Sequence, residues 1–129
     1  MDIHSPSTTS RILQIAAIVL TVITAVNHLF IGIANLGAPD TLVLAVLFIL
    51  NAAGFAVLLA GLSTRLVPVL SGNRILAHYA MIAFTVVTIM AYVFMSGILR
   101  GEPPMPMAIV TKIDELLLIL ATYLHLRVA

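Results

Sequence analysis

Cysteine is absent from this chain, which excludes disulfide frameworks, thiolate metal sites and CxxC redox pairs. Charge is scarce as well. Asp, Glu, Lys and Arg make up 9% of 129 residues, against about 25% in soluble domains. The formal net charge is +1 and no basic run occurs, so the chain carries no nucleic-acid footprint. It has no Gly-x-Ser-x-Gly elbow, no His-Glu-x-x-His pair and no glycine-rich phosphate loop, and so nothing in its motifs supports enzymatic activity. No internal repeat stands out, which argues against an inverted-repeat transporter built within one chain.

What the chain has in abundance is apolar surface: 62% hydrophobic residues and a mean hydropathy of +1.21. Four apolar stretches, at about residues 12–35, 41–62, 75–99 and 108–126, each approach the ~20 residues of a spanning helix. The expected fold is all-α: an integral membrane, up-down four-helix transmembrane bundle, with residues 1–129 forming a single transmembrane domain. The connectors are rich in breakers. Residues 37–40 include Pro39, residues 63–74 include Pro68 and Ser71-Gly72-Asn73, and residues 100–107 hold three prolines. Ser10 and Asp40 stand where N-caps of the first two helices are expected. The first apolar stretch exceeds a signal-peptide h-region and no clear cleavage site follows it, so it reads as retained.

Arg11, Arg65, Arg74 and Arg127 fall on the side of the termini and the second connector, whereas Arg100 and Lys112 fall on the other. The positive-inside rule then predicts a multi-pass protein of the cell membrane with both termini cytoplasmic.

Polar residues are costly in lipid unless they face partners, and here they recur at helical spacing. The first helix carries Gln14, Thr21, Thr24, His28 and Asn35 on one stripe with Ala17 and Gly32, and Asn27 lies to one side. The third carries His78, Thr85, Thr88, Tyr92 and Ser96. The fourth carries Thr111, Glu115, Thr122 and His125, flanked by Asp114. The second offers Asn51, Gly54 and Gly61, which suit close packing and cross-helix hydrogen bonding. Counted from the connectors at about 1.5 Å per residue, His28, Tyr92, Ser96, Asp114 and Glu115 lie near the non-cytoplasmic end. Gln14, His78, Thr122 and His125 lie near the cytoplasmic end, with Asn51 and the remaining threonines between.

Three candidate sites follow. Lys112-Ile113-Asp114-Glu115 brings two acids into a span. In its structural reading Lys112 pairs with Glu115 at i+3 and Asp114 bonds a neighbouring helix. In its functional reading His28, Tyr92, Asp114 and Glu115, with Asn51 nearby, form an intramembrane polar cluster for a proton, a cation or a polar head group. His78 and His125 at one end suit the two axial ligands of a b-type haem, and His4 is a remoter candidate for a metal. Met105-Pro106-Met107 places two thioethers where Cu(I) binds, but two sulfurs are too few, so that segment reads as a stiff connector. Met81, Met90 and Met95 read as packing residues.

The run Asn27-His28-Leu29-Phe30-Ile31-Gly32, the Asn51-Ala52-Ala53-Gly54 step and the Lys112-Ile113-Asp114-Glu115 segment together resemble a family of small, uncharacterised four-helix prokaryotic integral membrane proteins. The resemblance implies a fold and supplies neither a reaction nor a catalytic residue. Three functional expectations stand. First is an accessory, assembly or oligomeric membrane component without enzymatic activity, whose partners are the lipid bilayer and either a second copy or a larger membrane complex. Second is a proton- or cation-linked carrier or channel. Third is a haem-bearing electron carrier.

Overall fold

The computed structural model describes residues 6–63 and 72–128. His4, Arg65, Pro68 and Ser71 lie outside them. Among the described residues the chain is all-α, with four long helices: α1 (Thr8–Ala34), α2 (Leu42–Ser63), α3 (Arg74–Met95) and α4 (Pro106–Val128). Short 3-10 turns, Pro39–Thr41 and Ile98–Arg100, precede α2 and follow α3.

Local chemistry sets the helix ends. Ser7, not Ser10, caps α1: its hydroxyl accepts from the Ser10 amide at 3.1 Å, so Ser10 falls inside the first turn. Asp40 is likewise inside the 3-10 turn begun by Pro39 rather than a cap of α2. There the Thr41 hydroxyl donates to the carbonyl of Asn35 at 2.9 Å and tightens the turn. Asn73 caps α3 by accepting from the Leu76 amide at 3.0 Å. The third helix stops short of the expected residue 99 because Gly97 adopts φ 80°, a left-handed conformation that ends an α-helix. Pro106 opens α4, where its missing N–H costs nothing. Met107 therefore belongs to the helix, and the supposed stiff connector shrinks to a few residues.

Each helix packs against two others: α1 on α2 and α4, and α3 on α2 and α4. Neighbours run antiparallel, as the contacts between them require. Early α2 meets late α1 through Ala45, Ile49 and Gly32, and late α4 meets early α3 through His125 and His78. The core is small: Ala17, Phe55, Met81, Leu118 and Ala121, with Phe84 edge-on to Phe55 at a ring separation of 4.9 Å.

The usual inside-outside distribution is inverted. Among the described residues eleven polar or charged side chains are buried, including His28, Asp114 and Glu115, while Phe30, Val43, Phe94 and Leu116 are each more than half exposed. Met81 is in the core, but Met90 and Met95 face outward, so only the first of the three methionines packs inside. Such a surface suits a solvent of acyl chains. Three segments, Thr8–Ala34, Pro39–Ser63 and Arg74–Arg100, are long and apolar enough to cross a membrane. The fourth helix, with Lys112, Asp114 and Glu115 in one turn, is not among them.

Gly32 permits a close approach of α1 and α2. A Cβ there would stand 3.0 Å from the Ala45 carbonyl oxygen and 2.7 Å from Ile49 Cγ1. Gly32→Val is expected to destabilise the protein by about 1–3 kcal/mol through overpacking. Gly37→Ala, where a Cβ would meet nothing within 4 Å, should change stability by less than about 0.5 kcal/mol. Denaturant unfolding in detergent micelles, followed by circular dichroism, compares the two. Equal loss in both would refute the packing argument.

Candidate functional site

One face of α4 assembles the site. Thr111, Asp114, Glu115, Leu118, Ala121 and Thr122 are buried at three- and four-residue steps, the inner stripe of a helix. Asp114, placed to one flank by the sequence pattern, is buried alongside Glu115. Across from them α1 presents Thr24 and His28, both buried and one turn apart. Two interhelical contacts tie the faces together. The Thr24 hydroxyl donates to Asp114 Oδ2, and His28 Nε2 stands 3.3 Å from Glu115 Oε1. Phe48 and Phe55 of α2 lie against the His28 ring at 5.6 and 5.8 Å between centroids. The apolar wall of the site is thus built by α2.

Lys112 closes the other side of Glu115. Its Nζ donates to Glu115 Oε2 at 2.6 Å, the i+3 pair expected from the spacing, and lies 4.9 Å from the centre of the Tyr92 ring. Tyr92 therefore joins the array through Lys112 and the cation–π contact, and not by touching His28 or Glu115. Asn51 is elsewhere. It exchanges hydrogen bonds with Thr88 at 3.1 and 3.2 Å and links α2 to α3. Of the five residues expected to cluster, the structure unites His28, Asp114 and Glu115, reaches Tyr92 through Lys112, and assigns Asn51 to a separate pair. Among the described residues no three His, Asp or Glu side chains form a set able to hold a metal ion.

Hydrogen positions follow from the acceptors. His28 Nδ1 is 2.8 Å from the Thr24 carbonyl oxygen; a carbonyl only accepts, so Nδ1 carries the hydrogen. In a neutral ring Nε2 is then bare and faces Glu115 Oε1, which makes no hydrogen bond among the described residues. Two lone pairs meet at 3.3 Å, and a single proton between them turns repulsion into a charge-assisted bond.

The second candidate pair, His78 and His125, lies at the opposite end of the helices. His78 Nδ1 is 2.7 Å from the Arg74 carbonyl oxygen, and His78 Nε2 is 2.9 Å from His125 Nδ1. Metal–imidazole bonds of about 2.0–2.1 Å put two axial nitrogens roughly 4 Å apart, with the porphyrin plane between them. Nitrogens in direct hydrogen-bond contact leave no such gap, so this pair as placed does not fit an axial set for haem. The residues that sequence spacing did not single out here are Ser7 and Arg74, which line a cavity with the two histidines. Arg74 entered the sequence reading only as one of the arginines on the side of the termini, although it stands one turn before His78.

No curated protein and no solved structure matches the chain. A family model does match, over residues 3–125, and the chain belongs to that family, a family of unknown function (DUF7475).

Proposed function

We propose that this chain is a multi-pass protein of the cell membrane, an up-down four-helix transmembrane bundle with both termini cytoplasmic, that binds and passes a proton at His28 and Glu115 as a small proton-linked carrier. The observation that carries the reading is the bare contact between His28 Nε2 and Glu115 Oε1, both buried to within 1% of full enclosure and one proton short of a bond. An ionisable side chain at membrane depth costs about 2.5–3.5 kcal/mol on insertion scales. A purely structural helix contact is obtained at far lower cost from residues such as Asn51 and Thr88. A membrane path for α4 is supported by its partners: Lys112 and Glu115 neutralise each other within the helix, and Thr24 accommodates Asp114. The cytoplasmic placement of the termini is supported by Arg11 and Arg127 near the outer ends of α1 and α4 and Arg74 at the start of α3, against Arg100, which is paired with Glu102 at the far end.

The α1 stripe leads from the cavity toward the array: Thr21 lines the cavity at the cytoplasmic end, and Thr24, about 4.5 Å further along the axis, donates to Asp114.

In liposomes carrying a pH-sensitive dye, the native protein is expected to dissipate an imposed proton gradient, and His28→Ala and Glu115→Gln to reduce the rate at least tenfold. Flux in the native protein equal to that of empty liposomes would sink the proposal. Nitrogen NMR of the histidine rings supplies an independent check: at alkaline pH His28 should show the Nδ1–H tautomer, with a second hydrogen appearing on Nε2 as the pH falls. An Nε2–H tautomer at alkaline pH would remove the basis of the argument.

The described residues hold four helices and only short turns, which favours a second reading, an accessory or homo-oligomeric membrane component. Blue-native gels in mild detergent should then show a discrete species larger than the 13.8 kDa chain and its bound detergent. A lone monomer without partners would exclude it.

A further inference from the structure

We infer that the cavity at the cytoplasmic end of the helices binds an amphiphilic anion, a carboxylate or phosphate head group carrying an apolar tail. The cavity measures about 670 Å³, in the range of small-molecule sites. Its lining is polar and basic at Ser10, Gln14, Arg74, His78 and His125, and apolar at Ala17, Ile18, Leu59 and Leu62. None of the described residues lining it is acidic. Two helices begin and two end here, so their dipoles offset one another and the side chains set the sign of the field. Arg74 supplies a permanent cation. One of its guanidinium nitrogens donates to the His125 carbonyl at 3.2 Å, which leaves further N–H donors of the fork for a ligand.

Thr122 is the independent sign that something belongs in the cavity. Its side chain is 1% exposed, it lines the cavity, and its hydroxyl has no hydrogen-bond partner among the described residues. The threonines at 21, 85 and 111 satisfy theirs on the carbonyl four residues back, so Thr122 departs from a habit of this protein. A buried hydroxyl left unpaired is costly, and a ligand oxygen offers the missing acceptor. The histidine pair adds a conditional donor. With His78 Nδ1–H committed to the Arg74 carbonyl, His78 Nε2 accepts from His125 Nδ1–H, and His125 Nε2 is the one nitrogen of the pair open to a further proton. Binding of an anion beside it favours that proton and makes His125 a second cation in the lining.

The inference does not rest on proton passage at His28 and Glu115. Its test uses the full-length protein in nanodiscs of zwitterionic lipid, titrated with octanoate in a calorimeter. Saturable binding is expected. It should weaken at least tenfold with Arg74→Gln and with Thr122→Val, the second nearly isosteric and so leaving the fold intact, and it should survive Thr122→Ser, which keeps the hydroxyl, and Gly37→Ala, at the other end of the helices. Inorganic phosphate, which lacks the tail, should bind at least tenfold more weakly than octanoate. A second arm identifies the source of the anion: native mass spectrometry after reconstitution with dioleoylphosphatidylglycerol. A retained lipid that is lost in the same two variants assigns the site to a membrane lipid, and octanoate binding without lipid retention assigns it to a free amphiphile; either supports the inference. Absence of saturable binding for every probe, or equal affinity in the native protein and both variants, would overturn it.

Discussion

Glu115 is enclosed completely, with a lysine on one oxygen and a histidine nitrogen facing the other, and the packing of α1 against α4 is organised around that carboxylate. A buried charge without partners is intolerable in a low-dielectric surround, because removing one member of such a pair costs about 3–5 kcal/mol. Thr24 and Asp114 supply the second contact one turn away along α1, and the two together fix both the rotation and the register of α4. A one-residue slip would point Ile113 or Leu116, each more than half exposed, into the position of an acid. The aromatic wall of Phe48, Phe55 and Phe84 then fills the space that polar groups leave.

The same solvent argument explains why the molecule carries its polar groups inside. In acyl chains the hydrophobic effect does not drive helices together, so association depends on close packing and on hydrogen bonds between helices. Gly32 against Ala45 supplies the former, and Asn51 with Thr88 supplies the latter. Thr21, Thr85 and Thr111 turn their hydroxyls back onto their own helix, as Thr88 does besides its contact with Asn51. Those that reach across, Thr24 and Thr88, mark helix contacts.

Two polar layers result, one around Glu115 and one around the His78–His125 contact, separated by the apolar layer of Phe55, Met81 and Leu118. They differ in kind. The inner layer is enclosed and nearly charge-balanced. The outer one opens into a cavity with basic residues and no described acid. The two layers thus differ in enclosure and in the sign of the charge around them.

Much of this was legible in the residues themselves. Four apolar stretches with breakers between them point to four helices, because a helix satisfies its backbone groups within itself. The recurrence of Thr21, Thr24 and His28 on α1, and of Thr111, Glu115 and Thr122 on α4, determines which faces turn inward. Depth counted along the helices already placed His28 with Glu115 and His78 with His125. Tertiary structure alone decided the rest, since spacing along one helix says nothing of the rotation of its neighbour. It seated Asp114 on Thr24, attached Tyr92 through Lys112, moved Asn51 away to Thr88, and closed the histidine pair to hydrogen-bond distance where a haem iron needs a gap. It also left the Thr122 hydroxyl without a hydrogen-bond partner among the described residues, a fact carried by the absence of a neighbouring acceptor and therefore by no residue in the sequence.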